Sequence, residues 1–151
     1  MDGTDYTQSI ALLRYAGKLA GLYPEDLLAA LKVDEIVLMA EDVFINIFFT
    51  VQEKDEAKKL ELCKVLIAGK IKNLLEDIAR KVSSNTSSAF SVGDSLSIAD
   101  LQIHAVIATV EAGFLTGIPP TMVEDIAPSL KALDNAIMEH PKVKAYYASQ
   151  A

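Results

Sequence analysis

The sequence predicts an all-α protein built around one central buried helix. Its 151 residues are 51% apolar and 23% charged, the composition of one globular domain that is large enough to bury a core. Apolar residues recur at spacings of three and four through most of the chain, which is the helical period. Ser97 and Asp100 stand three apart just before a long apolar run, the capping-box signature of a helix start.

The N-terminal segment predicts part of a β-hairpin followed by a helix. Asp2-Gly3 is a tight-turn dipeptide, and residues 4–6 fit a returning strand, although the other arm of such a hairpin is missing. Thr7 is the expected cap of a first helix that begins at Gln8 and stops at Gly21.

Two long amphipathic helices are predicted next, over residues 25–51 and 55–82. Each carries one apolar stripe, so we expect the two helices to lie side by side. The stripe of the first comprises Val33, Val37, Ala40, Phe44, Ile47, Phe48 and Val51, and that of the second Leu60, Cys63, Ile67, Ile71, Leu74, Ile78 and Val82.

The central helix follows a serine-rich loop over residues 83–95, in which Phe90 and Gly93 are the expected fixed points. From the capping box its apolar run extends to Leu115 and leaves almost no polar face. We therefore expect protein on nearly every side of this helix. Three shorter helices, over residues 122–126, 128–139 and 142–148, are predicted to complete the chain.

Charge and cysteine content exclude several classes of protein. A net charge of −7 and a pI of about 4.8 argue against a nucleic-acid partner and against an anionic membrane surface. No uncharged run approaches the roughly 20 residues of a membrane span. The single Cys63 allows no internal disulfide and, with no secretory leader at Met1, favours a cytoplasmic protein. Its place on an apolar stripe predicts an inert buried thiol.

Gln8 and Ser9 are the polar pair that most suggests a ligand. The free N–H groups and positive dipole end of a helix N-terminus attract a carboxylate, and an amide with a hydroxyl would orient it. The alternative is that both residues only cap the first turn. Glu41 and Asp42, on the polar side of the second helix, are either a site for a cation or ammonium group or simply solvated.

Both histidines favour structural roles. His104 stands one turn after Asp100, so an imidazole–carboxylate contact is possible between them. No second histidine lies four residues away, which excludes a His-x-x-x-His metal site and favours a satisfied core histidine. His140 is expected to offset a helix dipole, and Arg14 to supply surface charge. No nucleophile elbow, Walker loop, G-x-G-x-x-G or C-x-x-C is present, so these residues alone name no reaction.

Three segments resemble those of the glutathione transferase family, most closely its sigma-like branch. Gln8-Ser9-Ile10-Ala11 with Arg14-Tyr15 is similar to the end of the family's thioredoxin-like domain. Residues 93–101, Gly-Asp-Ser-Leu-Ser-Ile-Ala-Asp-Leu, are similar to the most recognisable run of its helical domain, and 140–146 to its closing helix. The resemblance implies a helical bundle of the transferase C-terminal type over residues 22–151, with a strand-and-helix remnant of the thioredoxin-like domain over residues 1–21.

The resemblance also implies roles for single residues. Gln8 and Ser9 match the pair that holds the γ-glutamyl end of glutathione. Asp42 falls where sigma-like members place an acid that reaches across the dimer to the ammonium of the same group, and Arg14 would belong to the dimer interface. The implied activity is detoxification by a homodimer, which joins glutathione, as co-substrate, to hydrophobic electrophiles. Neither a metal nor another cofactor is implied.

The departure from the family is at the N-terminus. Its β-α-β segment, which carries the residue that stabilises the glutathione thiolate and a cis-proline, would lie upstream of Asp2. A thiol with a pKa of about 8.5 is mostly protonated at neutral pH, so this sequence lacks the principal means of forming the nucleophile. We therefore expect a truncated chain with no catalytic residue of its own, inactive or nearly so alone. The alternative is a non-enzymatic relative, either an interaction module like that of translation elongation factor 1 gamma or a crystallin-like structural protein.

Overall fold

The computed structural model describes residues 3–150, and regular structure in this range is helical. The elements are α1 (Ser9–Ala20), α2 (Leu27–Gln52), α3 (Glu56–Leu66), a π-helical turn (Ile67–Ile71), α4 (Lys72–Ser84), α5 (Ile98–Glu111), α6 (Met122–Ile126), α7 (Pro128–Glu139) and α8 (Pro141–Ala148). The predicted all-α class is confirmed.

The predicted N-terminal strand is not formed. Residues 4–6 have no regular structure, and no strand is found between residues 3 and 150 that could pair with them. A strand needs a partner for its backbone hydrogen bonds, so the local pattern is not sufficient. Asp2, the first residue of the predicted turn, lies outside the described residues.

Helix α5 is the centre of the bundle, as predicted, since it packs against α1, α2, α6 and α7. Its inner positions are buried from Ile98 to Val110. The helix ends at Glu111, earlier than the apolar run suggested, and Phe114 is exposed where a core position was expected. Gly113, at φ 72°, adopts a left-handed conformation just past the helix end, and this favours glycine.

The capping box at the start of α5 is confirmed and is part of a larger buried cluster. Asp100 is 0% exposed, and its Oδ2 accepts hydrogen bonds from the N–H of Ser97 at 2.8 Å and from its hydroxyl at 2.9 Å. The Ser97 hydroxyl in turn accepts from the N–H of Ala99 at 3.2 Å. The other oxygen, Oδ1, accepts from the N–H of Ser91 at 2.7 Å. One carboxylate therefore joins the helix start to the serine-rich loop.

The stripe of α2 is confirmed except at its end. Val33, Val37, Ala40 and Ile47 are buried and Phe44 is partly buried, but Phe48 and Val51 are exposed. Val43 and Thr50 complete the buried face, with the same three-and-four spacing. Phe48 and Val51 lie on a groove described below.

The predicted third helix is interrupted by the π-helical turn. A π turn adds residues to the usual helical period, so the face that points inward shifts at this point. Beyond Ile71 the buried positions are Leu75, Ile78 and Val82. Ile78 and Val82 were predicted, whereas Leu74, assigned to the stripe, is only partly buried and Leu75 takes its place.

Helix α1 lies against the start of α5 at Gly17. A Cβ atom at this glycine would lie 2.5 Å from Cγ2 of Ile98, closer than the side chain allows. Just beyond the helix, the N–H of Ile98 donates to the carbonyl of Leu22 at 2.9 Å. The close approach fixes the position of α1 on the bundle.

A polar cluster holds α1 to α2 on the other side. The Arg14 Nε donates to Oδ1 of Asp34 at 2.7 Å, and the Tyr23 hydroxyl donates to Oδ2 at 3.0 Å. Hydrogen bonding to Asp34 raises the pKa of Arg14, whereas burial is the main cause that raises the pKa of Tyr23. Arg14, expected as surface charge, is half-buried in an ion pair; its predicted place in a dimer interface stays a prediction.

Asp100→Ala should lower the free energy of unfolding by about 3 kcal/mol or more, because it leaves the N–H groups of Ser91 and Ser97 buried without an acceptor. Ser97→Ala should cost about 1 kcal/mol, as a lost N-cap does. The matched control, Asp94→Ala, removes an exposed aspartate of the preceding loop and should stay within about 0.5 kcal/mol. Urea denaturation followed by circular dichroism measures all three. Equal midpoints for the two aspartate variants would contradict the central role of this carboxylate.

Candidate functional site

The N-terminus of α1 begins at a strained residue. Gln8 occupies the N-cap position with φ 73° and ψ 105°, the only positive φ found for a residue other than glycine between residues 3 and 150. Its side chain makes no capping hydrogen bond. The expectation that Thr7 caps a helix from Gln8 is wrong, because the helix begins one residue later, at Ser9. The first N–H groups of α1 therefore have no side-chain cap and are open to an external acceptor.

Backbone strain of this kind costs of order 1–3 kcal/mol, and it persists only where the surroundings hold the residue in place. Strained residues concentrate at binding sites for this reason. Both Gln8 and Ser9 are exposed, so a ligand can reach them.

Glu41 connects Ser9 to the rest of the bundle. Its Oε1 accepts from the Ser9 hydroxyl at 3.3 Å, and its Oε2 accepts from Nε2 of Gln102 at 3.1 Å. Three helices, α1, α2 and α5, therefore place one polar group each at the same point. Sequence reasoning left the role of Glu41 open and did not single out Gln102. The available signal was the one amide side chain on a mostly apolar helix.

Asp42 is exposed, and within this chain it is Glu41 that lies against Ser9. Its predicted reach across a dimer to a glutathione ammonium is not tested by a single chain and stays a prediction.

A groove runs from Glu41 along α2. It encloses about 760 Å³ between α2, the beginning of α3 and the end of α5. Its lining beyond Glu41 is mainly aromatic and aliphatic and includes Phe44, Ile45, Phe48, Phe49, Val51, Phe114 and Leu115. The groove therefore combines a carboxylate, which lies beside the Ser9 hydroxyl, with a mainly apolar lining.

His104 lies outside the groove and pairs with a different acid from the one expected. Its Nδ1 is 2.6 Å from Oδ1 of Asp134, whereas Asp100 is occupied by Ser91 and Ser97. Both ring nitrogens have hydrogen-bond partners, as predicted, but His104 lies at the margin of the core and not within it, with a side chain 14% exposed.

His140 and Cys63 also have structural positions. His140 separates α7 from α8, and its Nδ1 accepts from the N–H of Lys142 at 3.3 Å, so it caps the start of α8. Cys63 is fully buried, as predicted, and its thiol donates to the carbonyl of Thr116 at 3.6 Å.

Within residues 3–150, no group of three or more histidine, cysteine or carboxylate side chains is arranged to hold a metal ion. The helices of this same range include none with the length and apolar character that crossing a membrane requires.

The bundle of helices around α5 is the fold of a known class of helical domains, and sequence comparison identifies that class. Residues 41–150 match the family model described as glutathione S-transferase, C-terminal domain. The chain belongs to the glutathione S-transferase family, and the predicted resemblance is confirmed.

Individual relatives cover almost the whole chain. S-crystallin SL11 of Nototodarus sloanii is 27% identical over 147 residues, 95% of this chain and 67% of that protein. Glutathione S-transferase alpha-4 of Rattus norvegicus is 28% identical over 150 residues, 97% of this chain and 62% of that protein. Glutathione S-transferase P of Bos taurus is 31% identical over 149 residues, 94% of this chain and 63% of that protein. The chain thus spans about two thirds of the length of these relatives.

Solved structures share the fold. Prostaglandin synthase D of Nilaparvata lugens superposes with a TM-score of 0.83 at 23% identity, over 100% of this chain and 72% of that one. Na-GST-3 of Necator americanus superposes with a TM-score of 0.75 at 21% identity, over 100% of this chain and 72% of that one. At these identities the likeness concerns the fold alone.

Gln8→Gly should give a more stable protein than Gln8→Ala, by about 1 kcal/mol, because glycine adopts positive φ without strain whereas alanine retains it. The matched control is Glu61, an exposed position inside α3, where alanine should be more stable than glycine by about 1 kcal/mol. Thermal and urea denaturation of the four variants gives both differences. If alanine is the more stable residue at both positions, Gln8 is not strained.

Proposed function

We propose that this chain is the substrate-side domain of a glutathione transferase, which joins the thiol of glutathione to hydrophobic electrophiles. The observation that carries the proposal is the groove of a family member, which is lined by exposed phenylalanines and by Glu41, the carboxylate that accepts a hydrogen bond from Ser9. A ligand with a zwitterionic end and an apolar end, such as a glutathione conjugate, fits that combination.

The polar residues Ser9 and Glu41 suit the γ-glutamyl group of glutathione. Its α-carboxylate would accept hydrogen bonds from the uncapped N–H groups of α1 and from the Ser9 hydroxyl, with the Gln8 amide beside it. Its ammonium group would pair with Glu41, which Gln102 holds in place. In a homodimer, Asp42 of the partner subunit would add a second negative charge for the same ammonium.

The apolar lining suits the electrophile. Phe48, Phe49 and Phe114 are exposed in this chain, and the transfer of an apolar group onto them removes hydrocarbon from water. The groove has the volume usual for a small-molecule site.

Exposed leucines support the proposed homodimer. Leu27, Leu28 and Leu31 lie exposed on the first turns of α2, and Leu12 and Leu19 on α1. Large apolar side chains exposed in this number on two neighbouring segments are typical of a surface that another protein covers.

We propose that thiol activation does not come from the residues that line the groove. None of the groove residues is a tyrosine, serine or cysteine placed to stabilise a thiolate, so we propose that the chain alone is inactive or nearly so. We further propose that the complete protein acts in the cytoplasm.

A structural role is the second candidate, and the similarity to S-crystallin SL11 is the observation in its favour. The uncapped, strained start of α1 favours the transferase, because a purely structural protein gains nothing from that strain.

Glutathione binding can be mapped on the chain itself by ¹H–¹⁵N NMR titration to millimolar concentration. We expect shifts at the amides of residues 9–11 and at the Gln102 side chain. Ser9→Ala and Gln8→Ala should each weaken binding about tenfold or more, because a hydrogen bond to a charged group contributes about 1.5–3 kcal/mol. Ser95→Ala, in an exposed loop, is the control and should bind as the parent does. Shifts elsewhere, with none at the start of α1, would contradict the site.

The apolar lining has its own test with S-hexylglutathione. This ligand should bind at least tenfold more tightly than glutathione, because each buried methylene adds up to about 0.8 kcal/mol. Phe48→Ala should remove most of that gain and leave glutathione binding unchanged. Leu38→Ala, an exposed α2 residue outside the groove, should change neither. Equal affinities of the two ligands for the parent chain would exclude the groove as the electrophile site.

Activity separates the two candidate functions. The chain alone should conjugate 1-chloro-2,4-dinitrobenzene no faster than the uncatalysed reaction, because it cannot lower the pKa of the glutathione thiol. A longer form that includes a thioredoxin-like half should accelerate the reaction, and Gln8→Ala should raise its KM for glutathione. Absence of conjugation by that longer form, with its fold intact, would favour the structural role.

A further inference from the structure

Helices α5, α7 and α8 bring a histidine, an aspartate and a tyrosine into one hydrogen-bonded line. Nδ1 of His104 is 2.6 Å from Oδ1 of Asp134, and its Nε2 is 2.7 Å from the hydroxyl of Tyr147. The side chains of His104 and Asp134 are 14% and 6% exposed, whereas Tyr147 is 41% exposed. The line therefore leads from a buried carboxylate to a phenol at the surface.

The charges around Asp134 determine which atoms carry protons. Burial alone would raise the pKa of Asp134, but the hydrogen bond and charge of His104, together with those of Lys131, outweigh burial and lower it. Lys131 lies 3.3 Å from Oδ2 of Asp134 and 2.6 Å from Oε1 of Glu111. Asp134 is therefore ionised at neutral pH and acts only as an acceptor.

When the imidazole of His104 is neutral, the ionised Asp134 fixes its tautomer. Since Asp134 only accepts, Nδ1 of His104 carries the proton and Nε2 presents a lone pair. The Tyr147 hydroxyl then donates its proton toward Nε2. A nucleophile that donates to a base, which is in turn oriented by a third group, is the arrangement of an activated nucleophile.

We propose that Tyr147 is a nucleophilic site that accepts an acyl group from activated esters, with His104 as its base and Asp134 as the positioning residue. The Tyr147 oxygen bonds to the ester carbonyl carbon while the phenolic proton passes to Nε2 of His104. The ester C–O bond then breaks, and the leaving alkoxide or phenoxide takes that proton. The products are an acyl-tyrosine and a free alcohol or phenol, and nothing is oxidised or reduced.

The site is separate from the groove. Neither α7 nor α8 contributes a residue to the groove lining. Acylation of Tyr147 is therefore independent of the proposed glutathione binding, and either can fail without the other.

The neighbouring tyrosine is an internal control. Tyr146 is 60% exposed, and its ring stands edge-on to that of Tyr147 with the centroids 5.4 Å apart. Both histidine nitrogens of the line are engaged by Asp134 and Tyr147, so Tyr146 has no share in it. If exposure alone governed reactivity, Tyr146 would react faster than Tyr147.

The test is exposure of the chain to p-nitrophenyl acetate near neutral pH, acid quench, and tandem mass spectrometry of the C-terminal tryptic peptide. We expect acetylation of Tyr147 at least ten times faster than that of Tyr146 or of the exposed Tyr15 on α1. Equal rates, or a faster Tyr146, would overturn the proposal.

Variants separate reactivity from a merely structural role. Asp134→Asn and His104→Gln should lower the acetylation rate of Tyr147 to that of Tyr146 and leave the acetylation rate of Tyr15 unchanged. The control variant Asp94→Asn, in an exposed loop, should change none of these three rates. Tyr147→Phe should abolish the rapid release of p-nitrophenolate. An undiminished release from Tyr147→Phe, or an undiminished Tyr147 rate in folded His104→Gln, would refute the assignment. Two results do not depend on whether Asp134→Asn and His104→Gln fold: the ratio of Tyr147 to Tyr146 acetylation in the parent chain, and the p-nitrophenolate release from Tyr147→Phe.

Discussion

The buried carboxylate of Asp100 is the constraint on which the arrangement of this domain depends. Its two oxygens take three hydrogen bonds, two from Ser97 and one from Ser91. In the same turn, the N–H of Ile98 donates a hydrogen bond to the carbonyl of Leu22, and the side chain of Ile98 fills the space beside Gly17. The Asp100 carboxylate thus fixes the position of three features: the start of α5, the serine-rich loop, and the surface of α5 on which α1 packs.

Stability and ligand chemistry are divided between the two ends of α1. The buried contact at Gly17 and the Arg14–Asp34 pair secure the helix to α5 and α2. This anchoring allows Gln8 to be held at positive φ, a cost of order 1–3 kcal/mol that a free helix start would relieve. The uncapped N–H groups at Ser9 therefore keep a defined position beside Glu41.

Local features of the fold could be predicted from the sequence, and features set by distant partners could not. The box of Ser97 and Asp100 and the fixed points of the serine-rich loop depend on neighbours in sequence, and both are found: Phe90 is partly buried, and Gly93 has φ 66°. His104 shows the opposite case. Its nearest acid in sequence is Asp100, but the bundle brings it to Asp134, 30 residues away.

The candidate site divides in the same way. The place of Gln8 and Ser9 at the start of α1 could be predicted because helix-start signals are local, while their role in binding stays a prediction. Their link to Gln102 through Glu41 could not be predicted, since it requires α1, α2 and α5 to be packed. The change in the buried face of the helix at the π-helical turn, and the exposure of Phe48, also depend on how the helices pack.

Helix α5 supports two polar systems on opposite faces. Gln102 and His104 are two residues apart, so their side chains project about 200° apart around the helix axis. Gln102 turns to Glu41 at the groove, and His104 turns to Asp134 and Tyr147 on the far side. Because the apolar residues between these faces are packed and rigid, a change at one polar system leaves the other in place as long as the Asp100 cluster holds α5.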